Sequence, residues 1–173
     1  MSGTDSGALL EQCVRDHGAD VFRYWRRRTA TTADAADGYG ETLLTAWRVR
    51  QKIPGDPTAA RMWLFTVGRN VLRNDRRVSA RRSAAVRRLR DHMSTLPTAD
   101  EPEEAVAVRA AIDALAPDLG EVIRLTYWDG FRSDEVAQLI GTSPSTVRKR
   151  LVEARALLRE SLVDEFDGVD AAP

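Results

Sequence analysis

Between Ser94 and Ala105 the chain reads STLPTADEPEEA, a polar, acidic stretch broken twice by proline. Proline lacks a backbone N–H and clashes with the preceding helical turn, so no helix or inner strand runs through such a segment. In a chain of 173 residues it separates two pieces, each the size of a small domain. On both sides apolar residues recur three and four positions apart, and alternating strand patterns are scarce. The expectation is an all-α protein of two small helical domains, residues 8–77 and 104–163, joined by a flexible linker over 78–103.

The first half predicts three helices. From about Ala8 to Arg28 the apolar positions are Leu9, Leu10, Cys13, Val14, Val21, Phe22 and Trp25, with Gly18 expected to interrupt or bend the run. A second helix is expected over Ala33 to Arg50, with Leu43, Leu44 and Trp47 on one stripe. Gly38 and Gly40 lie inside it, each costing about 1 kcal/mol relative to alanine. KIPGDPTAA, Lys52 to Ala60, is a loop by its two prolines and glycine. A third helix runs from Pro57 or Thr58 to Arg77, with Trp63, Leu64, Val67 and Val71 as its apolar side.

Net charge is zero, but its distribution is uneven. From Arg61 to Arg90 there are ten arginines against the single acid Asp75, and from Asp91 to Val122 eight acids face only Arg109. A basic face followed by an acidic connector is the footprint of a segment that meets a polyanion, or of a solvated helix beside a loose linker.

The second half predicts helices over Val106 to Leu115, Leu119 to Tyr127 (ended by Asp129-Gly130), Ser133 to Ile140, and Pro144 to about Val163, with a loose acidic tail. Its most informative stretch is GTSPSTVRKR, Gly141 to Arg150. Val136, Ala137 and Ile140 form the inner side of one short helix, which Gly141 stops as a left-handed residue. Ser143 caps the next helix and Pro144 takes its first position. There Val147, Leu151, Ala154 and Leu158 make one inward stripe, while Ser145, Arg148, Lys149, Val152 and Arg155 face the other way. This is the pattern of a helix-turn-helix, whose second helix enters the major groove by its first turns. Arg148 and Lys149 are suited to guanine O6 and N7, and Ser145 or backbone amides to a phosphate. The plainer alternative is a helical hairpin with a wet basic face.

LGEVIRLTYWDGFRSDEVAQLIGTSPSTVRKRLVEARALLRESL, Leu119 to Leu162, resembles region 4 of bacterial sigma factors, which binds the promoter −35 element. ADAADGYGETLLTAW and ARMWLFTVGRNVLRNDRR resemble region 2, which binds the −10 element. Both come in order with no room for a region 3 domain, an arrangement similar to the extracytoplasmic-function (ECF) sigma factors. The resemblance implies that region 2 clamps onto the coiled coil of the RNA polymerase β′ subunit through the helix bearing Asp37 and Glu41. It also implies that region 4 sits near the β-flap on −35 duplex, and that the linker threads the polymerase cleft.

Residue by residue, Asp37 matches an acidic position that pairs with polymerase arginines. Asn70 matches a position that helps hold an unstacked −10 base. Arg69, Arg73, Arg76 and Arg77 give the same helix a basic side for phosphates, and Ile53 falls where relatives place a wedge beside the −10 pocket. Trp63, Leu64 and Phe65 match the region 2 aromatic–aliphatic cluster, with Trp63 read as core in preference to a stacking platform. The chain departs from the family at Gly38 (usually apolar), Gly40 (usually Gln), Arg132 (often a capping serine, a role left to Ser133) and Glu153 (often basic). Glu153 either accepts from cytosine N4 or pairs with Lys149 one turn earlier, the second being preferred.

The implied partners are core RNA polymerase, promoter DNA and an anti-sigma factor. No cofactor or metal is expected, because His17, His92 and Cys13 are scattered and no phosphate-binding glycine loop is present. Enzyme chemistry is not expected either. A lone cysteine fits a reducing compartment, and no apolar run suits membrane insertion, so a cytoplasmic location is expected. Two other readings remain from the residues: a regulator that binds DNA without polymerase, and a sigma-like adaptor that has lost promoter opening.

Overall fold

The computed structural model describes residues 3–81 and 103–167, and side chains over 5–75 and 105–162. The chain divides into two compact units, one on either side of the segment 82–102. The described residues hold seven α-helices and no strand. The expected linker, 78–103, lies mostly outside the described residues, but residues 78–81 continue the third helix and Glu103 opens the fourth.

The first unit is built from α1 (Gly3–Arg26), α2 (Thr32–Arg48) and α3 (Pro57–Arg81), each packed on the other two. Caps set the boundaries of α2 and α3: Thr31 Oγ1 accepts from the Asp34 N–H at 3.0 Å, and Asp56 Oδ1 accepts from the Ala59 N–H at 2.8 Å. Pro57 follows Asp56 as the first residue of α3, where its missing N–H costs nothing. Gly18 does not interrupt α1. It is buried where the Tyr39 hydroxyl crosses the helix, and a Cβ there would lie 2.6 Å from that oxygen.

The buried face of α2 differs from the expected one. Ala35, Thr42 and Ala46 point inward, whereas Leu44 and Trp47 are 54% and 49% exposed. Small residues win the inner face because Trp25 of α1 fills the space against them. A Cβ on Gly38 would come within 2.3 Å of the Trp25 ring, so only glycine admits the indole. The indole Nε1–H then donates to Thr42 Oγ1 at 3.0 Å, and that hydroxyl donates to the Gly38 carbonyl at 2.8 Å. Every polar atom in this buried relay is satisfied. Around it Val21, Tyr24, Leu64 and Phe65 complete the core, with Tyr24 meeting Phe65 edge-to-face at 5.7 Å. Trp63 and Val71 are half-buried, so the inward side of α3 is carried by Ala60, Leu64, Phe65, Val67 and Leu72.

The second unit comprises α4 (Glu103–Ala114), α5 (Pro117–Ile123), a π-helical turn (Arg124–Trp128), α6 (Ser133–Ile140) and α7 (Pro144–Asp167). The helix expected to run on to Tyr127 therefore changes its winding at Arg124, and α7 extends four residues past Val163 into the expected tail. Val122, Val136, Val147 and Ala154 are fully buried, with Leu125, Phe131, Leu139 and Leu151 packed beside them.

Candidate nucleic-acid and polymerase interfaces

The helix-turn-helix is built as its local chemistry dictates. Gly141 ends α6 at φ 71°, and its N–H reaches the Ala137 carbonyl. Ser143 Oγ accepts from the Thr146 N–H at 3.1 Å, and α7 begins at Pro144. At the start of α6 the expected capping serine does not act. Ser133 is already helical, and the Glu135 carboxylate reaches back to accept from the Arg132 N–H at 2.8 Å.

Burying Val147, Leu151 and Ala154 turns Ser145, Arg148, Lys149, Val152 and Arg155 outward, and all five are exposed. The consecutive cations of Val147-Arg148-Lys149-Arg150 are not equivalent. Arg150 turns back onto Asp118 of α5 at 3.0 Å, a structural tie. Arg148 and Lys149 have no ion-pair partner among the described residues, so the preferred Lys149–Glu153 pair does not form. Arg155 donates through Nε to the Tyr127 hydroxyl at 2.6 Å. The outer side of α7 thus carries unneutralised cations over its first two turns, which suits a groove lined by phosphates and guanine edges.

On α3, Asn70 and Arg73 are exposed and Arg69 is half-buried, the three lying on adjoining positions of one side. Arg76 and Arg77 continue the same helix, with side chains outside the described residues. Ile53 does not join them. It is 4% exposed, its N–H donates to the Arg50 carbonyl, and its side chain plugs the core beneath the loop. An apolar residue at that point of the loop gains more by burial than by standing in water, which corrects its assignment to the −10 pocket.

Asp37 and Glu41 are exposed one turn apart on α2. Glu41 is 3.5 Å from the Arg48 guanidinium across solvent, a weak tie. Leu44 continues their line, and Trp47 stands beside it with the Arg50 guanidinium 4.3 Å over its ring. Trp47 also walls a groove whose other apolar sides are Leu10, Val14 and Leu43. An acidic pair beside an exposed leucine and tryptophan has the composition of a protein-docking face. The Leu44 and Trp47 contribution was missed in the sequence because a stripe of large apolar residues reads as core. The inward spacing of Ala35, Gly38, Thr42 and Ala46 was the signal that could have found it.

Elsewhere, burial pushes the Cys13 thiol up to about 11, with Asp16 adding to the shift, and the thiol donates to the Ala60 carbonyl. It is a packed core group. No cluster of metal-ligating side chains occurs among the described residues, and no helix there is long and apolar enough to cross a membrane.

Comparison with known proteins places both units in one family. Residues 13–93 match sigma-70 region 2, and residues 105–158 match sigma-70 region 4. The chain is 34% identical over 158 residues to the ECF RNA polymerase sigma factor SigL of Mycobacterium tuberculosis, covering 90% of this chain and 89% of that protein. It is 30% identical over 167 residues to the RNA polymerase sigma factor CnrH of Cupriavidus metallidurans, covering 85% and 83%. The solved structure of CnrH in complex with the cytosolic domain of CnrY aligns at TM-score 0.64 and 26% identity, over 92% of this chain and 90% of that one. The sigma factor RpoE of Bartonella quintana, solved with the anti-sigma factor NepR, shares the fold at TM-score 0.65 and 22% identity, over 88% and 95%. With both sigma regions in order and relatives matched along nearly their whole length, the chain belongs to the ECF sigma factors, which direct RNA polymerase in transcription initiation.

Proposed function

We propose that this sigma factor docks on core polymerase through the exposed side of α2, reads −35 duplex with α7 and captures the opened −10 strand along α3. The observation that carries the reading is the outward pair Arg148 and Lys149, unpaired on the first turns of a capped helix in a helix-turn-helix. Ser145 and the α7 amides meet a phosphate, Val152 faces the groove floor, and Arg155 reaches the flanking backbone. On α3, Asn70 accepts and donates to an unstacked base edge while Arg69, Arg73, Arg76 and Arg77 neutralise the strand. Unstacking costs a few kcal/mol per step, which those contacts must offset without a nucleotide cofactor.

For polymerase binding, Asp37 and Glu41 pair with basic groups on the β′ coiled coil while Leu44 and Trp47 supply desolvated apolar contact. Region 4 lies against the β-flap. CnrH is solved with the cytosolic domain of CnrY and RpoE with the anti-sigma factor NepR, which supports an anti-sigma factor as the third partner of this chain.

Run-off transcription tests the reading, using purified core polymerase and a promoter library with and without the protein. Discrete transcripts that vanish with Arg148→Ala or Asn70→Ala are the expected result. Core binding without transcripts would point to a polymerase adaptor. Promoter binding that needs no polymerase would point to an independent regulator.

A further inference from the structure

The second unit leaves regular winding at one place, the π-helical turn Arg124–Trp128. It closes through the Asp129 N–H onto the Arg124 carbonyl at 3.0 Å, five residues back. Such turns insert one residue into a helix and are frequent at functional sites. The turn is anchored at both ends. Arg124 pairs with Asp113, and the Phe131 N–H donates to the Leu125 carbonyl at 3.0 Å. Leu125 and Phe131 are buried, while Tyr127 between them is 55% exposed. Tyr127 is therefore held out of the surface by a fixed backbone.

What Tyr127 meets is Arg155. The Arg155 Nε donates to the tyrosine hydroxyl at 2.6 Å, and its guanidinium carbon lies 5.6 Å from the ring centroid. A guanidinium carries five N–H donors in a planar fork. With Nε engaged by the phenol, the donors on Nη1 and Nη2 have no protein partner among the described residues. That edge grips a phosphate in two parallel hydrogen bonds. Arg155 also lies on the Arg148–Val152 line of α7, seven residues beyond Arg148, or about 10 Å along the axis. A group so placed meets the DNA backbone at the edge of the bases that Arg148 faces, and the tyrosine has already restricted its rotamers.

We propose that Tyr127 is a positioning residue for −35 recognition, holding the Arg155 guanidinium with its Nη edge presented to a backbone phosphate. The proposal rests on the −35 reading of α7 given above. Holding the side chain in advance removes part of the ordering cost of binding, so loss of the hydroxyl weakens affinity about two- to tenfold.

The test is a double-mutant cycle with the full chain assembled on core polymerase. Dissociation constants are measured by fluorescence anisotropy for duplex carrying the −35 element recovered from run-off transcripts, over a series of salt concentrations. Tyr127→Phe keeps the ring and is expected to raise Kd about two- to tenfold with an unchanged salt slope. Arg155→Ala is expected to raise Kd further and to lower the slope of log K against log salt by about one. Adding Tyr127→Phe to Arg155→Ala is expected to change nothing more. A silent Tyr127→Phe, or one whose effect persists in the Arg155→Ala background, overturns the positioning role. Arg148→Ala run in parallel separates the two failures. If it too is silent the −35 reading has failed, and if it weakens binding only the role of Tyr127 has.

Discussion

Gly38 and Gly40 sit two residues apart on α2, yet the structure gives them opposite meanings. At Gly38 a Cβ would lie 2.3 Å from the Trp25 ring, so the buried indole would have to shift. At Gly40 nothing lies within 4 Å. Gly38→Ala is expected to destabilise the first unit by about 1–3 kcal/mol net, overpacking outweighing the gain in helix propensity. Gly40→Ala is expected to stabilise it by about 0.5–1 kcal/mol. Urea midpoints moving in opposite directions would bear this out, and a Gly38→Ala protein as stable as the parent would refute the Trp25 contact. Cys13 gives a second test at this scale. Its folded pKa, about 11, stands above the ordinary thiol value of 9.0 because the buried thiolate is desolvated. Between those values the unfolded chain binds fewer protons than the folded one, so stability is full below pH 9 and falls as pH rises towards 11. The expected loss is about 2 kcal/mol, and Cys13→Ala should flatten that part of the stability–pH curve. A slope unchanged in Cys13→Ala would mean that another group carries it.

The helices themselves show what a sequence reveals and what it hides. The turn between α6 and α7 was legible because each signal is local: Gly141 at positive φ, Ser143 at the cap, Pro144 at the first position and Val147-Leu151-Ala154 at fixed spacing. The inner face of α2 was not, since Trp25, distant in sequence, selects small residues there and pushes Leu44 and Trp47 into solvent. The π-helical turn was hidden for a different reason. No residue type marks an inserted position, so Tyr127 read as the end of an ordinary helix. Ile53 failed through burial, which a loop rich in proline and glycine does not announce. The exposed side of α2 yields its own prediction. Trp47→Ser or Leu44→Ser removes side chains that are half exposed and outside the buried core, so melting temperature should hold within a few degrees. Affinity for core polymerase should fall by about tenfold or more if either is an interface anchor. Pull-down of core enzyme with each variant, beside its melting curve, decides between an interface and an idle patch.

At the scale of the whole molecule the two units expose surfaces of different physical kinds, and lesions in them should sort accordingly. The α2 side combines two carboxylates with an exposed leucine and tryptophan, a composition for protein contact. The α7 side presents cations with no acid paired to Arg148 or Lys149, a composition for phosphate and base edges. Reversing Asp37 and Glu41 to arginine should therefore abolish core binding and every transcript together, since a like-charge clash replaces the pairing. Arg148→Ala should leave core binding within about twofold while weakening the −35 contact by about 1–3 kcal/mol, the worth of one good base contact. The two lesions also differ in what promoter sequence can repair. A promoter with an altered −35 element should recover part of the activity of the Arg148→Ala holoenzyme relative to the parent. No promoter should rescue the Asp37/Glu41 reversal, because the enzyme that would use it does not assemble. Core-binding assays and transcription on paired promoters measure both quantities on the same preparations. Loss of core binding by Arg148→Ala would show that Arg148 itself contacts polymerase and would remove it from the −35 surface.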